Sequence, residues 1–88
     1  MEFAMKPSAH THTTVERDGV VILDSKHGLV FALNPIGALI WEGIEKSQSK
    51  EDLVRKLTSR FPEVAPSRLV QDLDCFLRTL ADKNLIAL

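Results

Sequence analysis

The chain has 88 residues, of which 44% are hydrophobic and 26% are charged, and its formal net charge is −1. These values fit one globular domain with a modest core and exclude both wholesale disorder and fibrous repeats. The balanced charge disfavours a nucleic-acid partner, because binding through phosphate contacts needs a basic excess. The apolar runs, such as residues 19–23, are too short to span a bilayer, so no membrane partner is expected.

The N-terminal residues are polar and carry no strong structural signal. Residues 1–5 resemble a vector-derived start, and residues 1–9 together are expected to form a disordered tail. The folded domain is therefore expected to cover residues 10–88. The single cysteine, Cys75, cannot form an internal disulfide, which fits a reducing compartment and leads us to expect a cytoplasmic protein.

The first third of the domain has the pattern of a small antiparallel sheet. Residues 11–16 alternate in polarity as an outer strand does. A hairpin signal at Asp18-Gly19 leads into residues 20–23, whose β-branched run is typical of a central strand that is covered on both faces.

The third predicted strand is Leu29–Leu33, and it follows a turn in which Gly28 is available for a positive φ angle. In a meander order this strand has one neighbour, so its other edge is free. A free edge offers unpaired N–H and C=O groups to an incoming peptide. The composition also fits a strand whose two faces are both buried by the protein's own helices.

Three helices are predicted after the sheet. Asn34 can cap the first helix and Pro35 suits its first position, so the helix follows the third strand without a linker. Ser49 opens the second helix, and the third ends near Asn84, which can adopt the left-handed cap conformation. The apolar stripe of the third helix is wide enough to touch two neighbours. Residues 85–88 are expected to form a short strand or a packed tail.

Three strands followed by three helices in so short a chain predict an α+β domain with the helices on one side of the sheet. The helix spacing also permits a helix-turn-helix arrangement. Trp41 lies between apolar helical positions, Ile40 and Ile44, and is expected to be a core anchor rather than a ligand platform.

A series of short motifs runs from residue 20 to the C-terminus: Asp24, Gly28, Leu33-Asn34-Pro35, Gly37, Ile40-Trp41, Leu53, Leu57, Asp72-Leu73, Phe76-Leu77, Leu80 and Asn84-Leu85. In their order and spacing these motifs resemble the PqqD-like family, which are small winged helix-turn-helix domains that recognise precursor peptides in ribosomally made, modified peptide pathways. The opening Ile22-Leu23-Asp24 and the Ile40-Trp41 pair are most similar to the stand-alone leader-binding protein of lasso-peptide clusters.

The resemblance implies a non-catalytic adaptor that binds the leader segment of a precursor peptide. It also implies two protein partners, a leader peptidase that is a cysteine protease and a cyclase that acts on the core peptide. In the family the leader adds as an antiparallel strand to the third strand, and its side chains enter a groove beside the third helix. Carried over to this chain, the peptide-binding residues are Leu29, Val30, Phe31, Ala32, Leu33, Leu69, Asp72, Leu73 and Phe76. Asp72 fits equally well a solvated helix face.

No catalytic, cofactor or metal site is predicted. His10 and His12, taken with His27 or Cys75, offer metal-ligand atoms, but their spacing matches no standard zinc pattern and a solvated tail accounts for the first two. Cys75 has no evident orienting base, so we interpret it as packing or groove lining. Without a phosphate-binding loop or a nucleophile motif, an enzyme is not expected.

Two other functions stay open at this point. A winged-helix DNA-binding regulator would present arginine and lysine from its second or third helix to the major groove. The basic residues of these helices, however, are interleaved with acidic ones. A homodimer would pair the free edge of the third strand with its copy in a second chain.

Overall fold

The structure is a computed structural model that describes residues 6–17 and 19–87. Three antiparallel strands form one sheet in which each lies beside its neighbour in sequence, and two short strands form a separate pair. The predicted α+β fold with a three-stranded sheet followed by three helices is confirmed. The elements in chain order are β1 (Lys6–Pro7), β2 (Thr11–Glu16), β3 (Gly19–Asp24), β4 (Leu29–Leu33), α1 (Pro35–Glu45), α2 (Lys50–Arg60), α3 (Pro66–Asp82) and β5 (Ile86–Ala87).

The turn between β3 and β4 is held by Asp24, whose side chain is buried. Its Oδ1 accepts hydrogen bonds from the backbone N–H groups of Lys26 at 3.0 Å and His27 at 3.2 Å. Aspartate side chains favour this local arrangement in turns. Gly28 has a φ angle of 66°, as predicted. The turn sets the register in which Leu29 pairs with Asp24.

Side-chain caps start the first two helices. Asn34 Oδ1 accepts a hydrogen bond from the Gly37 N–H at 2.7 Å, and Pro35 occupies the first helical position. Ser49 Oγ accepts from the Asp52 N–H at 3.1 Å. Each cap satisfies an N–H that has no partner within its helix. Both predicted helix starts are confirmed.

The core lies between the inner face of the sheet and the helices. Trp41 is fully buried, and its Nε1–H donates to Thr13 Oγ1 at 2.8 Å, which joins α1 to β2. The predicted core position of Trp41 is therefore confirmed. No helix in the described part of the chain is long and apolar enough to cross a membrane. The buried hydrophobic residues are Ile22, Leu39, Ile40, Trp41, Ile44, Leu53, Leu57, Leu69, Leu73, Leu80, Leu85 and Ile86.

The N-terminal segment is more ordered than the sequence predicts. Strand β1 pairs with β5, and the Ser8 N–H donates to the Leu85 carbonyl oxygen at 2.9 Å. The expected disordered tail is therefore wrong for residues 6–8, because their backbone pairs with residues 85–87. Residues 1–5 and Leu88 lie outside the described residues. Of the two expectations for residues 85–88, a short strand or a packed tail, the structure shows a short strand over Ile86–Ala87.

The central strand β3 is covered on one face only. Ile22 is fully buried under the helices, whereas Leu23 on the opposite face is 40% exposed. The expectation that both faces are covered is wrong, because the helices pack against the other side. The predicted turn at Asp18-Gly19 includes Asp18, which lies outside the described residues.

Candidate functional site

Strand β4 forms one edge of the sheet and pairs only with β3 among the described residues. Its odd-numbered side chains lie toward the helices and its even-numbered ones on the outer face. Val30 is 64% exposed and Leu29 is 49% exposed. This exposure excludes the alternative of a strand buried on both faces. The edge combines free backbone groups with apolar side chains, as pairing with an incoming strand requires.

A cleft of about 380 Å³ separates the end of β4 from α3. Its walls are the last residues of β4 on one side and one face of α3 on the other, and the first turns of α1 form its floor. The cleft thus lies beside the free edge of the sheet. Its lining residues are Ala32, Leu33, Asn34, Ile36, Gly37, Ile40, Asp72, Cys75, Phe76 and Thr79.

Gly37 keeps the floor of the cleft open. The Asn34 cap fixes its position in the first turn of α1. A Cβ atom on Gly37 would lie 3.2 Å from Asn34 Oδ1, which is tighter than an ordinary contact, and 3.4 Å from the ring of Phe76, at the near limit of ordinary contact. Glycine at this position therefore lets the Phe76 ring approach the helix backbone without disturbing the cap.

The wall formed by α3 combines apolar and polar groups. Phe76 is partly buried and presents its ring, while Cys75 is exposed and offers a free thiol. Asp72 Oδ1 lies 3.5 Å from Arg68 Nε on the same helix. The Thr79 hydroxyl donates to the Cys75 carbonyl oxygen at 3.0 Å, so it is not free to donate a hydrogen bond to a ligand in the cleft.

The structure brings together part of the predicted peptide-binding set. Ala32, Leu33, Asp72 and Phe76 all line the cleft. Leu29 and Val30 lie on the open part of the edge, away from the cleft lining. The ring of Phe31 is partly buried, with Lys83 Nζ 5.2 Å from its centroid, so Phe31 offers mainly its backbone to a partner.

The predicted groove positions Leu69 and Leu73 are corrected by the structure. Both side chains have 0% exposure and belong to the core, so they have no surface to offer to a peptide. The apolar stripe of α3 is wide, and these two residues occupy its inward side. Helical spacing could have identified the cleft-lining side of α3, because residues 72, 75, 76 and 79 recur at intervals of three and four and share one face. Of the two interpretations of Cys75, the structure favours groove lining.

A cluster of polar side chains lies at the other end of β4, near its first residue. In the described chain, His10, Asp24 and His27 each place one donor atom within 4.8 Å of the others. His27 Nδ1 is 2.8 Å from Asp24 Oδ2, and His10 Nε2 is 3.7 Å from Asp24 Oδ1. His10 is partly buried, which corrects the expectation that it lies in a solvated tail, whereas His12 is exposed.

The ionisation of Asp24 follows from this environment. Burial by itself raises the pKa of its carboxyl group. The hydrogen bonds from the His27 side chain and from the backbone N–H groups of His27 and Lys26 together outweigh burial, so the pKa lies below its ordinary value. Asp24 is therefore a carboxylate at neutral pH.

Comparisons with known proteins show which family and which solved structures this chain resembles. The family model described as coenzyme PQQ synthesis protein D (PqqD) matches residues 19–86. The solved structure of TbiB1 in complex with the TbiA(beta) leader peptide is similar with a TM-score of 0.85 and 31% identity, over 92% of this chain and 93% of that one. Lasso peptide synthetase B1 complexed with its leader peptide is similar with a TM-score of 0.84 and 26% identity, over 98% of this chain and 99% of that one.

None of the curated proteins matches the sequence at a significant level. The two solved structures and the matched family model nevertheless agree on one fold, and the predicted winged helix-turn-helix class is confirmed. The resemblance seen in the order of the sequence motifs is confirmed as well. On these grounds the chain belongs to the PqqD family.

Proposed function

We propose that this chain is a non-catalytic adaptor that binds the leader segment of a ribosomally made precursor peptide in lasso-peptide biosynthesis. The adaptor acts in the cytoplasm and delivers the leader to a separate peptidase, a cysteine protease, and a cyclase acts on the core peptide. One observation carries this proposal: the apolar free edge of β4 lies beside the α3 cleft in a fold whose two solved relatives hold leader peptides.

The leader adds to β4 as an antiparallel strand. Backbone hydrogen bonds along Leu29–Leu33 supply affinity that does not depend on the leader's sequence. Every second leader side chain points toward the helices, and those near Ala32 and Leu33 enter the cleft, where Phe76 provides an apolar contact. Ordering a disordered leader on binding costs about 2–5 kcal/mol. Contacts in the cleft must offset that cost.

Asp72 gives the cleft a preference for basic or hydrogen-bond-donating leader side chains. Its carboxylate lies near Arg68 across a surface ion pair, and such pairs contribute little to stability. A basic or hydrogen-bond-donating leader side chain can therefore replace Arg68 at small cost. We expect leaders with an apolar residue and a basic or polar residue on the same face to bind best.

A DNA-binding role receives less support from the helix surfaces. Lys50 pairs with Asp74, Arg55 Nη2 lies 3.3 Å from Asp52 Oδ1, and Arg68 lies beside Asp72. These pairs reduce the uncompensated positive charge that phosphate contacts need. Duplex DNA is therefore a negative control in the binding experiment.

A homodimer formed through β4 would use the same backbone groups as the leader. Such a dimer would dissociate when leader is added, since one edge cannot pair with two strands. Sedimentation with and without leader peptide tests this relation directly.

The adaptor proposal is tested by fluorescence-anisotropy titration of a labelled leader from the neighbouring precursor gene. We expect saturable binding at about micromolar affinity or tighter, and none to a scrambled leader or to duplex DNA. Equal binding of the scrambled leader would contradict specific recognition. Binding to DNA alone, with a steep salt dependence, would replace the adaptor by the DNA-binding regulator.

The single thiol supplies an independent probe of the cleft. Cys75 is the only cysteine in the sequence and its side chain is exposed. We expect saturating leader to slow alkylation of Cys75 by about tenfold or more, since bound peptide covers the cleft. The scrambled leader should leave the rate unchanged. Unchanged alkylation in the presence of bound leader would place the peptide elsewhere.

A further inference from the structure

The turn before β4 carries a polar cluster that lies outside the proposed leader-binding residues. His10 lies just before β2, Asp24 ends β3, and His27 lies in the β3–β4 turn. Residues 10 and 27 are distant in sequence, and the β2-β3-β4 meander brings them to the two sides of one buried carboxylate. The α3 cleft lies at the opposite end of β4, next to Ala32 and Leu33.

One atom of this cluster is left without a partner. His10 Nε2 is buried and makes no hydrogen bond, although it lies 3.7 Å from Asp24 Oδ1. That distance is too long for a hydrogen bond between nitrogen and oxygen. A buried polar atom without a partner costs free energy, so its presence beside a carboxylate calls for a physical explanation.

The main chain holds all three side chains near each other. Ser25 donates from both its N–H and its Oγ–H to the His10 carbonyl oxygen, each at 2.9 Å. The Asp24 carboxylate is oriented by backbone N–H groups of the turn, and His27 belongs to that same turn. Such supporting hydrogen bonds fix ligand orientation in metal sites.

We propose that His10, Asp24 and His27 form a binding site for a divalent transition-metal ion of the zinc class. Two imidazole nitrogens and one carboxylate oxygen are a ligand set that zinc accepts, with solvent in the remaining position. His27 is 46% exposed, so this position is open to water. An ion between the groups gives His10 Nε2 a partner and balances the charge of Asp24.

The donor atoms are close enough to be drawn around one ion. With bonds of about 2.0–2.1 Å, neighbouring ligand atoms in a tetrahedral site lie about 3.3 Å apart. The three donor atoms lie within 4.8 Å of one another and must draw together around the ion. His10 Nε2 approaches the carboxylate from 3.7 Å, and His27 Nδ1 exchanges its 2.8 Å contact with Asp24 Oδ2 for a bond to the metal. The bound ion would fasten the segment before β2 to the β3–β4 turn.

Zinc binding by the full chain tests this inference independently of leader binding. Chelator-treated protein carrying Cys75→Ser, which has no thiol, is titrated with zinc against a chromophoric zinc chelator. We expect one zinc ion per chain with a dissociation constant of about 10 µM or lower. His10→Gln and His27→Gln should each weaken binding by about tenfold or more. His12→Gln is the matched control, because His12 is exposed on β2 and outside the cluster, and it should bind as the parent does.

A stability measurement gives the second readout. Zinc should raise the thermal midpoint followed by Trp41 fluorescence in the parent protein but not in the His10→Gln variant, and magnesium should raise it in neither. Absence of saturable zinc binding below about 100 µM would overturn the proposal. Equal zinc affinity of the parent, His10→Gln and His27→Gln proteins would also overturn it.

Discussion

The sheet has two edges, and they differ in chemistry more than in shape. Both β2 and β4 pair with β3 alone among the described residues, so both have a free side. The cleft beside β2 is the larger, at about 500 Å³ against about 380 Å³ beside β4. Strand β4 has the sequence LVFAL, whereas β2 reads THTTVE. The comparison teaches that edge composition, rather than cleft volume, identifies the surface suited to strand addition.

The side chains near β2 are already engaged with α1. Thr13 accepts a hydrogen bond from Trp41 Nε1–H at 2.8 Å and donates to Glu45 Oε2 at 2.9 Å. Val15 is 80% exposed, but its neighbours on the strand are polar. The contacts around β2 therefore fasten the sheet to the first helix, while those around β4 leave an open apolar wall.

The largest expected effect comes from Trp41→Ala, which removes the anchor of the β2 side. Deleting a buried aromatic side chain costs about 3–5 kcal/mol, a large share of the roughly 5–15 kcal/mol that stabilises a small domain. Urea denaturation should show a chain that is largely unfolded or close to it. Trp41→Phe keeps an aromatic ring, although a smaller one, and loses the bond to Thr13, so it should cost less than Trp41→Ala. A stable Trp41→Ala protein would contradict the assigned anchor role.

On the β4 side, Phe76→Ala should affect binding more than folding. Loss of the apolar ring should weaken leader affinity by about tenfold or more, or about 1.4 kcal/mol, in the anisotropy titration. Arg78→Ala on the same helix is the control, because Arg78 does not line the cleft. If folded Phe76→Ala protein bound leader as tightly as the control, the cleft would not be the specificity pocket.

A charge on each edge in turn sharpens the contrast between them. Val30→Asp on β4 should weaken leader binding by about three- to tenfold, since aspartate disfavours strand pairing and carries a charge into the interface. Thr14→Asp places the same charge on the exposed face of β2 and should leave affinity unchanged. Equal losses in the two variants would remove the distinction between the edges.

The smallest expected effect is that of Gly37→Ala. Its added methyl group lies against Asn34 Oδ1 and the Phe76 ring and fills part of the cleft floor, so leader affinity should fall about threefold while the free energy of unfolding changes by less than about 1 kcal/mol. Gly43→Ala should show the reverse, because a Cβ there would collide with buried Leu53 and destabilise the fold by about 1–3 kcal/mol. Titration and urea denaturation of both variants separate the two effects, and unchanged affinity for Gly37→Ala would argue against a cleft shaped by this glycine.

Local features of the fold were predictable from the sequence because their causes are local. The Asn34 and Ser49 caps and the positive φ angle of Gly28 depend on residues within four positions, and the structure confirms them. The pairing of β1 with β5 was not predictable, since it joins residues some eighty positions apart and neither strand has a strong pattern.

The candidate site was predictable only in part. The β4 edge followed from strand order, but the wide apolar stripe of α3 did not show which of its sides faces the core. The sequence therefore predicts Leu69 and Leu73 for the groove as readily as Phe76, although the structure buries both leucines completely. Likewise, the approach of His10 to His27 depends on strand register, which sequence spacing does not display.

Amide hydrogen exchange, read residue by residue with and without leader peptide, tests the central claim most directly. The adaptor account predicts that bound leader protects alternate amides in Leu29–Leu33, whose free N–H groups become paired, and leaves Thr11–Glu16 unchanged. Protection on β2, or bound leader without protection on β4, would contradict strand addition at the β4 edge.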